Sequence, residues 1–358
     1  MLNISQDEIV KNWKKEYTSP VVSVVCITYN QEDYISSALD GFLKQKTDFP
    51  FEVLVHDDAS TDRTTQIVKA YERKYPEIVK AVYEKENQYS RGRDILLDIM
   101  LPKISGQYVA TCEGDDYWES TNKLQKSFDY LSTHPKCSMV SHSTDMYVGE
   151  STERRHYTPK FLNRGGILRS ELIIIENNLI HTSSHFYRKD FLTRNLPVFL
   201  RMEKLGEVYD VVYVMMAATE GYIYILPDVL SIYRFRSKNS WNIRVAEDDA
   251  KMIEALLIQC KCAKLINHYR HYCFDTILNE RNRRSRFLIY KLKGDVRKLR
   301  RKEFQDLFCK MGVFDWAIIM IKKLPKPLYN IVHYKVRPKL IGTYLKLIES
   351  KGYTNFKK

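Results

Sequence analysis

No apolar run in this 358-residue chain approaches the roughly 20 residues that a membrane-spanning helix needs. The longest are VVSVVCI, ELIII and WAIIMI. The opening stretch, MLNISQDEIVKNW, lacks the apolar segment of a secretory signal, so a cytoplasmic chain is expected. No CxxC pair occurs, and the seven cysteines are scattered and odd in number. That argues against a zinc site or a disulfide framework and for a reducing compartment. There is no repeat of fixed period. There is also no glycine-rich loop after the first strand-like segment, where Thr28-Tyr29-Asn30-Gln31 stands instead.

What is present is a chain 44% hydrophobic, with a net charge of +13 that is unevenly spread. Residues 251–358 hold 26 Lys and Arg against 8 Asp and Glu, while residues 1–250 hold 31 against 36. The basic excess therefore belongs to the C-terminal part, which marks a boundary. We expect a catalytic domain over 1–245 and a basic, largely helical region over 246–358. Residues 281–302 alternate basic and apolar groups, and 313–347 set aromatics among lysines. Such a pattern suits either an anionic membrane surface or a helical domain with a solvated basic face. No nucleic-acid motif accompanies the charge, which argues against that partner.

Periodicity gives the fold class. Residues 21–27 are continuously apolar and β-branched, as in a strand buried on both faces. A helical pattern follows Asn30. A second strand covers 51–55, a helix starts near Ser60-Thr61-Asp62, and a third strand covers 79–83. A helix over 93–104 is closed by Gly106 as its C-cap, and a fourth strand covers 108–112. This alternation predicts an α/β fold with a parallel sheet. Ligands bind such sheets beyond the carboxyl ends of the strands. The polar clusters Thr28-Tyr29-Asn30, Asp57-Asp58 and Glu113-Gly114-Asp115-Asp116 all fall there.

Three carboxylates within four residues repel one another unless a cation sits among them. Hard oxygen ligands favour Mg²⁺ or Mn²⁺, which share their coordination with substrate phosphates. A carboxylate in Asp57-Asp58 suits a nucleobase N–H. Capping accounts for Ser60 and Asp62 but not for that pair. Tyr29 offers a face for a base to stack on, with a core tyrosine beside a helix-capping Asn30 as the plainer reading. His181 and His185, four apart, suit a helical metal pair poorly because Thr-Ser-Ser lies between them.

Together these clusters resemble family 2 glycosyltransferases of the GT-A fold, over roughly residues 20–245. That family has T-Y-N after a strand, then D-D-x-S-x-D, then a strand ending in D-x-D-D. Here Ala59 replaces a usual glycine and Glu113 replaces the first aspartate of D-x-D. The resemblance implies a Rossmann-like, mostly parallel central sheet flanked by helices, and inverting sugar transfer from a nucleotide-diphosphate donor, a UDP-sugar first. The acceptor would be a hydroxyl on a glycan or lipid-linked carrier, in surface-polysaccharide synthesis. It places Asp58 and Tyr29, with the Ile27 backbone, at the base, Thr28, Asn30 and Asp57 in the donor site, Glu113 at the ribose, and Arg91 or Arg93 beside the nucleotide. Asp115 would bind a bridging Mg²⁺ or Mn²⁺ with Asp116 beside it. Asp210, opening a helix before Ala218 and Gly221, matches the catalytic base. Residues 181–188, HTSSHFYR, match the acceptor side. Where relatives carry a histidine after Tyr-Arg, Arg236 stands, so Arg234, Arg236 and Lys238 are candidates to neutralise the leaving diphosphate. A nucleotidyltransferase is the enzymatic rival, and the place of its glycine-rich loop is taken here by Thr28-Tyr29-Asn30-Gln31. A non-catalytic sugar-nucleotide or membrane scaffold is the other rival.

Overall fold

Val, Ile and Thr dominate Val22–Thr28, and these residues form strand β1, buried but for part of Ile27. The computed structural model describes residues 3–148, 153–159, 162, 164–168, 170–175, 179–206, 210–235, 237 and 248–321. Strand β1 pairs in parallel with β2 (Phe51–Asp57) and β4 (Tyr108–Glu113), and β2 pairs in parallel with β3 (Val79–Tyr83). Between them run α2 (Ile35–Leu43) and α3 (Thr64–Lys74), which follow the short α1 (Gln6–Val10). Each sends one apolar stripe inward: Ile35, Ala38, Leu39 and Phe42 from α2, Val68 and Tyr71 from α3. Ile35, Leu39, Phe42 and Val68 each contribute about 1.5–3 kcal/mol on burial.

Beyond β4 the sheet turns mixed. Strand β9 (Phe186–Arg188) runs antiparallel to both β4 and β6 (Cys137–Val148). Strand β10 (Tyr222–Phe235) is parallel to β6, and β5 (Tyr117–Trp118) is antiparallel to β10. The order is β3-β2-β1-β4-β9-β6-β10-β5, with β7 (Arg155–His156) on β6 and β8 (Gly166–Leu168) on β10. The polar, arginine-containing stretch 145–170 thus holds the end of β6 and two short strands. Strand β10 passes through Pro227 because the ladder is irregular there, with register shifts between Leu226 and Ser231; proline is tolerated where the ladder is broken. Helices α4 (Lys123–Thr133), α5 (Ser170–Ile175), α6 (Lys189–Glu203) and α7 (Asp210–Glu220) complete this part.

Two local expectations are corrected. Residues 93–104 form a π-helical turn at Ile95–Met100, capped by Asp94, and then a 3₁₀ turn at Leu101–Lys103. Pro102 has no N–H to extend an α-helical ladder. Gly106 is not a left-handed cap: its N–H donates to Ser23 Oγ, and a Cβ there would stand 2.6 Å from the Ser23 nitrogen. Glycine is needed for close approach to β1.

The chain divides into two compact units. The first comprises residues 1–247 and 261–278, the second 248–260 and 279–358. The division cuts helices Asp249–Tyr269 and Asp275–Leu292. Within the first unit, Arg270 pairs with Glu220 at 2.8 Å. Within the second, Arg283 binds Glu280 and Asp306, Arg286 binds Glu303, and Lys291 binds Asp315. Among the described residues no helix is long and apolar enough to cross a membrane.

Candidate active site

Strand register brings the three polar clusters to one edge. Thr28 lies opposite Asp57, and Ile27 opposite Glu113. The ladder continues one step further, since Asp58 N–H donates to Thr28 O at 3.0 Å and Gly114 N–H to Ile27 O at 2.9 Å. Gly114 sits so close to β1 that a Cβ would come within 2.5 Å of Gln31 Oε1 and 2.8 Å of Thr28. Only glycine fits between Glu113 and Asp115.

The acidic turn is the chemical centre. One carboxylate oxygen from each of Glu113, Asp115 and Asp116 lies within 4.8 Å of the others. Asp115 and Asp116 are buried, while Glu113 keeps an open face. Asp115 Oδ2 accepts from Ser237 at 2.6 Å, and Asp116 Oδ1 accepts from the Arg234 N–H at 2.9 Å. Among the described residues, Asp115 Oδ1 and Asp116 Oδ2 have no hydrogen-bond partner. Asp116 Oδ2 stands 3.7 Å from His181 Nδ1, but that nitrogen already accepts the Ser183 N–H. Burial also drives the His181 pKa down to about 3, so this neutral ring supplies no charge. Burial and mutual repulsion push the Asp116 carboxyl well above its ordinary value. Burial raises Asp115 against the pull of Ser237. Glu113 rises to about 8 through loss of solvent and the charges of Asp115 and Asp210. Orphaned buried oxygens on a hard, anionic donor set fit Mg²⁺ or Mn²⁺.

Asp210 opens α7 and is joined to strand β4 through Thr182, whose hydroxyl donates to its carboxylate and whose carbonyl accepts from Thr111. Its Oδ2 accepts from Thr182 Oγ1 at 2.8 Å and its Oδ1 from the Val211 N–H at 2.7 Å. Loss of solvent raises its pKa, and these two donors pull it back down. The residue retains exposed surface, so an incoming hydroxyl has access.

The remaining candidates have local work. Asp57 accepts from Ser60 N–H at 3.1 Å and from the Thr65 hydroxyl, so it is a turn and helix-start ligand after all. Asp58, buried, accepts from the Gln88 and Tyr89 N–H groups at 2.6 and 3.1 Å. It hangs the loop that carries Arg91 and Arg93, whose side chains pair with Glu86 and Asp98. Both aspartates thus carry local hydrogen bonds that the sequence reading did not anticipate. Asn30 is not a helix cap: α2 begins at Ile35 with Tyr34 as its cap. Asn30 has φ +51° and ties the first cluster to the second, accepting from the Thr61 N–H at 2.7 Å while its own N–H donates to Ser60 at 2.9 Å. Thr28 is buried, and Tyr29 is 37% exposed, enough to offer a ring face.

Arg234 donates to the Asp115 carbonyl at 2.7 Å and lies 4.5 Å from the Tyr117 ring and 5.3 Å from that of Tyr34. Arg236 and Lys238 lie outside the described residues. His181 and His185 flank a 3₁₀ turn, Thr182–Ser184. Both are buried, with pKa values pushed down to about 3, not a helical metal pair. Sequence reasoning missed Ser237 and Thr182 as partners of Asp115 and Asp210. Thr182 at least lay inside the flagged HTSSHFYR segment; Ser237 carried no signal.

Residues 23–196 match the family model described as glycosyl transferase family 2. An uncharacterised protein of Mycobacterium tuberculosis is 32% identical over 223 residues, which cover 62% of this chain and 60% of that protein. The putative teichuronic acid biosynthesis glycosyltransferase of Bacillus subtilis is 30% identical over 163 residues, 45% of this chain and 60% of that one. The chain thus spans well under two thirds of the length of these relatives. In structure it resembles the mannosyltransferase PcManGT of Pyrobaculum calidifontis, solved with GDP-Man and Mn²⁺. That comparison gives a TM-score of 0.52 at 19% identity, covering 95% of this chain and 92% of the other. The likeness shows the fold, which is GT-A.

Proposed function

We propose that this chain, whose residues 23–196 match the glycosyl transferase family 2 model, moves a sugar, with inversion, from a UDP-sugar to an acceptor hydroxyl. One observation supports this above the rest. A buried acidic turn carries two carboxylate oxygens without a hydrogen-bond partner among the described residues, and Thr182 links its strand to the carboxylate that opens α7. Asp115 and Asp116 would hold Mg²⁺ or Mn²⁺, which when bound supplies Lewis-acid charge to the leaving diphosphate. Glu113, open on one face, would meet the ribose. Tyr29 would stack on the base, in a pocket whose walls Asp58, Asp57, Thr28 and Asn30 shape through the bonds above. Arg91 or Arg93, on the loop that Asp58 anchors, would border the nucleotide. Arg234 and Arg236 would face the diphosphate.

Asp210 accepts the proton of the acceptor hydroxyl as its oxygen attacks the anomeric carbon. A single base without a covalent intermediate gives inversion, by the geometric logic of inverting glycoside hydrolysis. The acceptor is proposed to be a glycan or lipid-linked carrier of a surface polysaccharide. The second unit would lie on the anionic inner face of the membrane. In helix Val313–Ile321, Val313 and Met320 are seven residues apart, on one face, and 83% and 60% exposed. Flotation with anionic vesicles tests that part, and equal flotation with neutral vesicles rejects it.

The activity is tested by thermal shift and donor hydrolysis with UDP-glucose, UDP-N-acetylglucosamine and GDP-mannose, with and without Mn²⁺. Asp210→Asn should bind the selected donor nearly as well as wild type and lose turnover at least about a hundredfold. Retained turnover in that variant removes Asp210 as the base.

A further inference from the structure

The turn between α5 and β9 touches both halves of the proposed reaction centre. Thr182 uses two atoms in opposite directions. Its hydroxyl donates to Asp210 Oδ2 at 2.8 Å, and its carbonyl accepts from Thr111 Oγ1 at 2.9 Å. Thr111 lies on β4, two residues before Glu113. The next residue, Ser183, accepts from Trp118 Nε1 at 3.0 Å through its carbonyl, just beyond Asp116. His181, before it, faces Asp116. The turn is itself held from behind, with Ser183 Oγ 2.9 Å from Ser231 Oγ and Ser184 Oγ 2.7 Å from Ser141 Oγ. Ser183 and Ser184 are fully buried.

We propose that Thr182 is a positioning residue. It is a strut that sets the separation between the acidic turn and Asp210 and holds the carboxylate in one orientation. The physical reason is that Asp210 begins a helix and has few other restraints. The Val211 N–H holds Oδ1, and Thr182 holds Oδ2. With both oxygens oriented, one lone-pair direction is aimed into the crevice. Without the Thr182 hydroxyl the carboxylate is free to turn about its last torsion, and small misplacements of a base are costly to turnover. Because the same residue is bonded to β4, movement of the acidic turn and of the base are coupled through one peptide.

This inference rests on Asp210 as the base, so Asp210→Asn is measured alongside. Thr182→Val keeps the shape and removes the hydroxyl, while Thr182→Ser restores it. With Mn²⁺ and the three sugar nucleotides named above, Thr182→Val should lower kcat about tenfold and leave donor KM within about twofold. Thr182→Ser should recover most of the loss. A crystal structure of Thr182→Val should show the Asp210 carboxylate rotated from its present pair of bonds. Wild-type kcat in Thr182→Val, equal impairment in Thr182→Ser, or an unmoved Asp210 each overturns the proposal. An active Asp210→Asn removes the base assignment and this inference together. An inactive Asp210→Asn beside a fully active Thr182→Val removes only the strut.

Discussion

Asp116→Asn should make the cation-free protein more stable and the cation-bound advantage smaller. Three carboxylate oxygens lie within 4.8 Å of one another. At that distance and an effective dielectric near 20, two ionised carboxylates repel by about 3.5 kcal/mol. The folded protein avoids the full cost by keeping protons on the cluster, so the gain from removing one charge is about 2–3 kcal/mol near pH 7.5. Asparagine keeps the acceptor for the Arg234 N–H through its Oδ1. A chain of this size should gain about 3–5 °C in Tm, measured in EDTA. Wild type should recover about 2.7 kcal/mol at a Mn²⁺ concentration a hundred times its Kd, and the variant much less. The pH dependence has a definite sign. Carboxyls raised in the folded state cost nothing below their unfolded values. They cost progressively more as pH climbs toward the folded values. The gap between variant and wild type should therefore open from about pH 4, near the ordinary value of 3.8 for Asp116, toward pH 8, where Glu113 titrates. A destabilised Asp116→Asn in EDTA, or equal Mn²⁺ shifts in both proteins, would refute this electrostatic account.

The same raised carboxyls make cation binding a proton-releasing event. Calorimetry in buffers of different ionisation enthalpy should show proton release on Mn²⁺ binding at pH 7, and affinity should rise with pH up to about 8, where Glu113 titrates; binding independent of pH and buffer would contradict it. Asp115→Asn should weaken metal-dependent donor binding, as titration with and without Mn²⁺ would show. Ala59 has φ +64°, a conformation that costs an L-residue roughly 1–2 kcal/mol. Ala59→Gly should stabilise the protein by about 0.5–1 kcal/mol net of the added chain entropy, read as a shift in denaturation midpoint.

Much of the fold and site was legible in the chain because strand ends in parallel sheets must gather on one side. The apolar runs at 21–27 and 108–112, each followed at once by polar residues, were sufficient to bring Thr28 and Glu113 together. The break in helix at 93–104 was harder to see, since one proline outweighed the apolar spacing around it. Strands β7 and β8 were illegible because two- and three-residue strands carry no periodicity. The backbone partners of Asp58 were not legible, since Gln88 and Tyr89 reach it across some thirty residues of chain.

The sequence by itself determined the α/β alternation and the concentration of like charge at residues 113–116. These follow from local sterics and from side-chain chemistry over a few neighbours. The tertiary structure decided which carboxylates are spoken for and which are left without partners. It also decided that Asp210 comes within electrostatic range of Glu113, and that Thr182 stands between them. Those outcomes depend on hydrogen bonds between segments 28 to 122 residues apart, and such pairings are selected only when the sheet closes and each buried polar atom must find a partner.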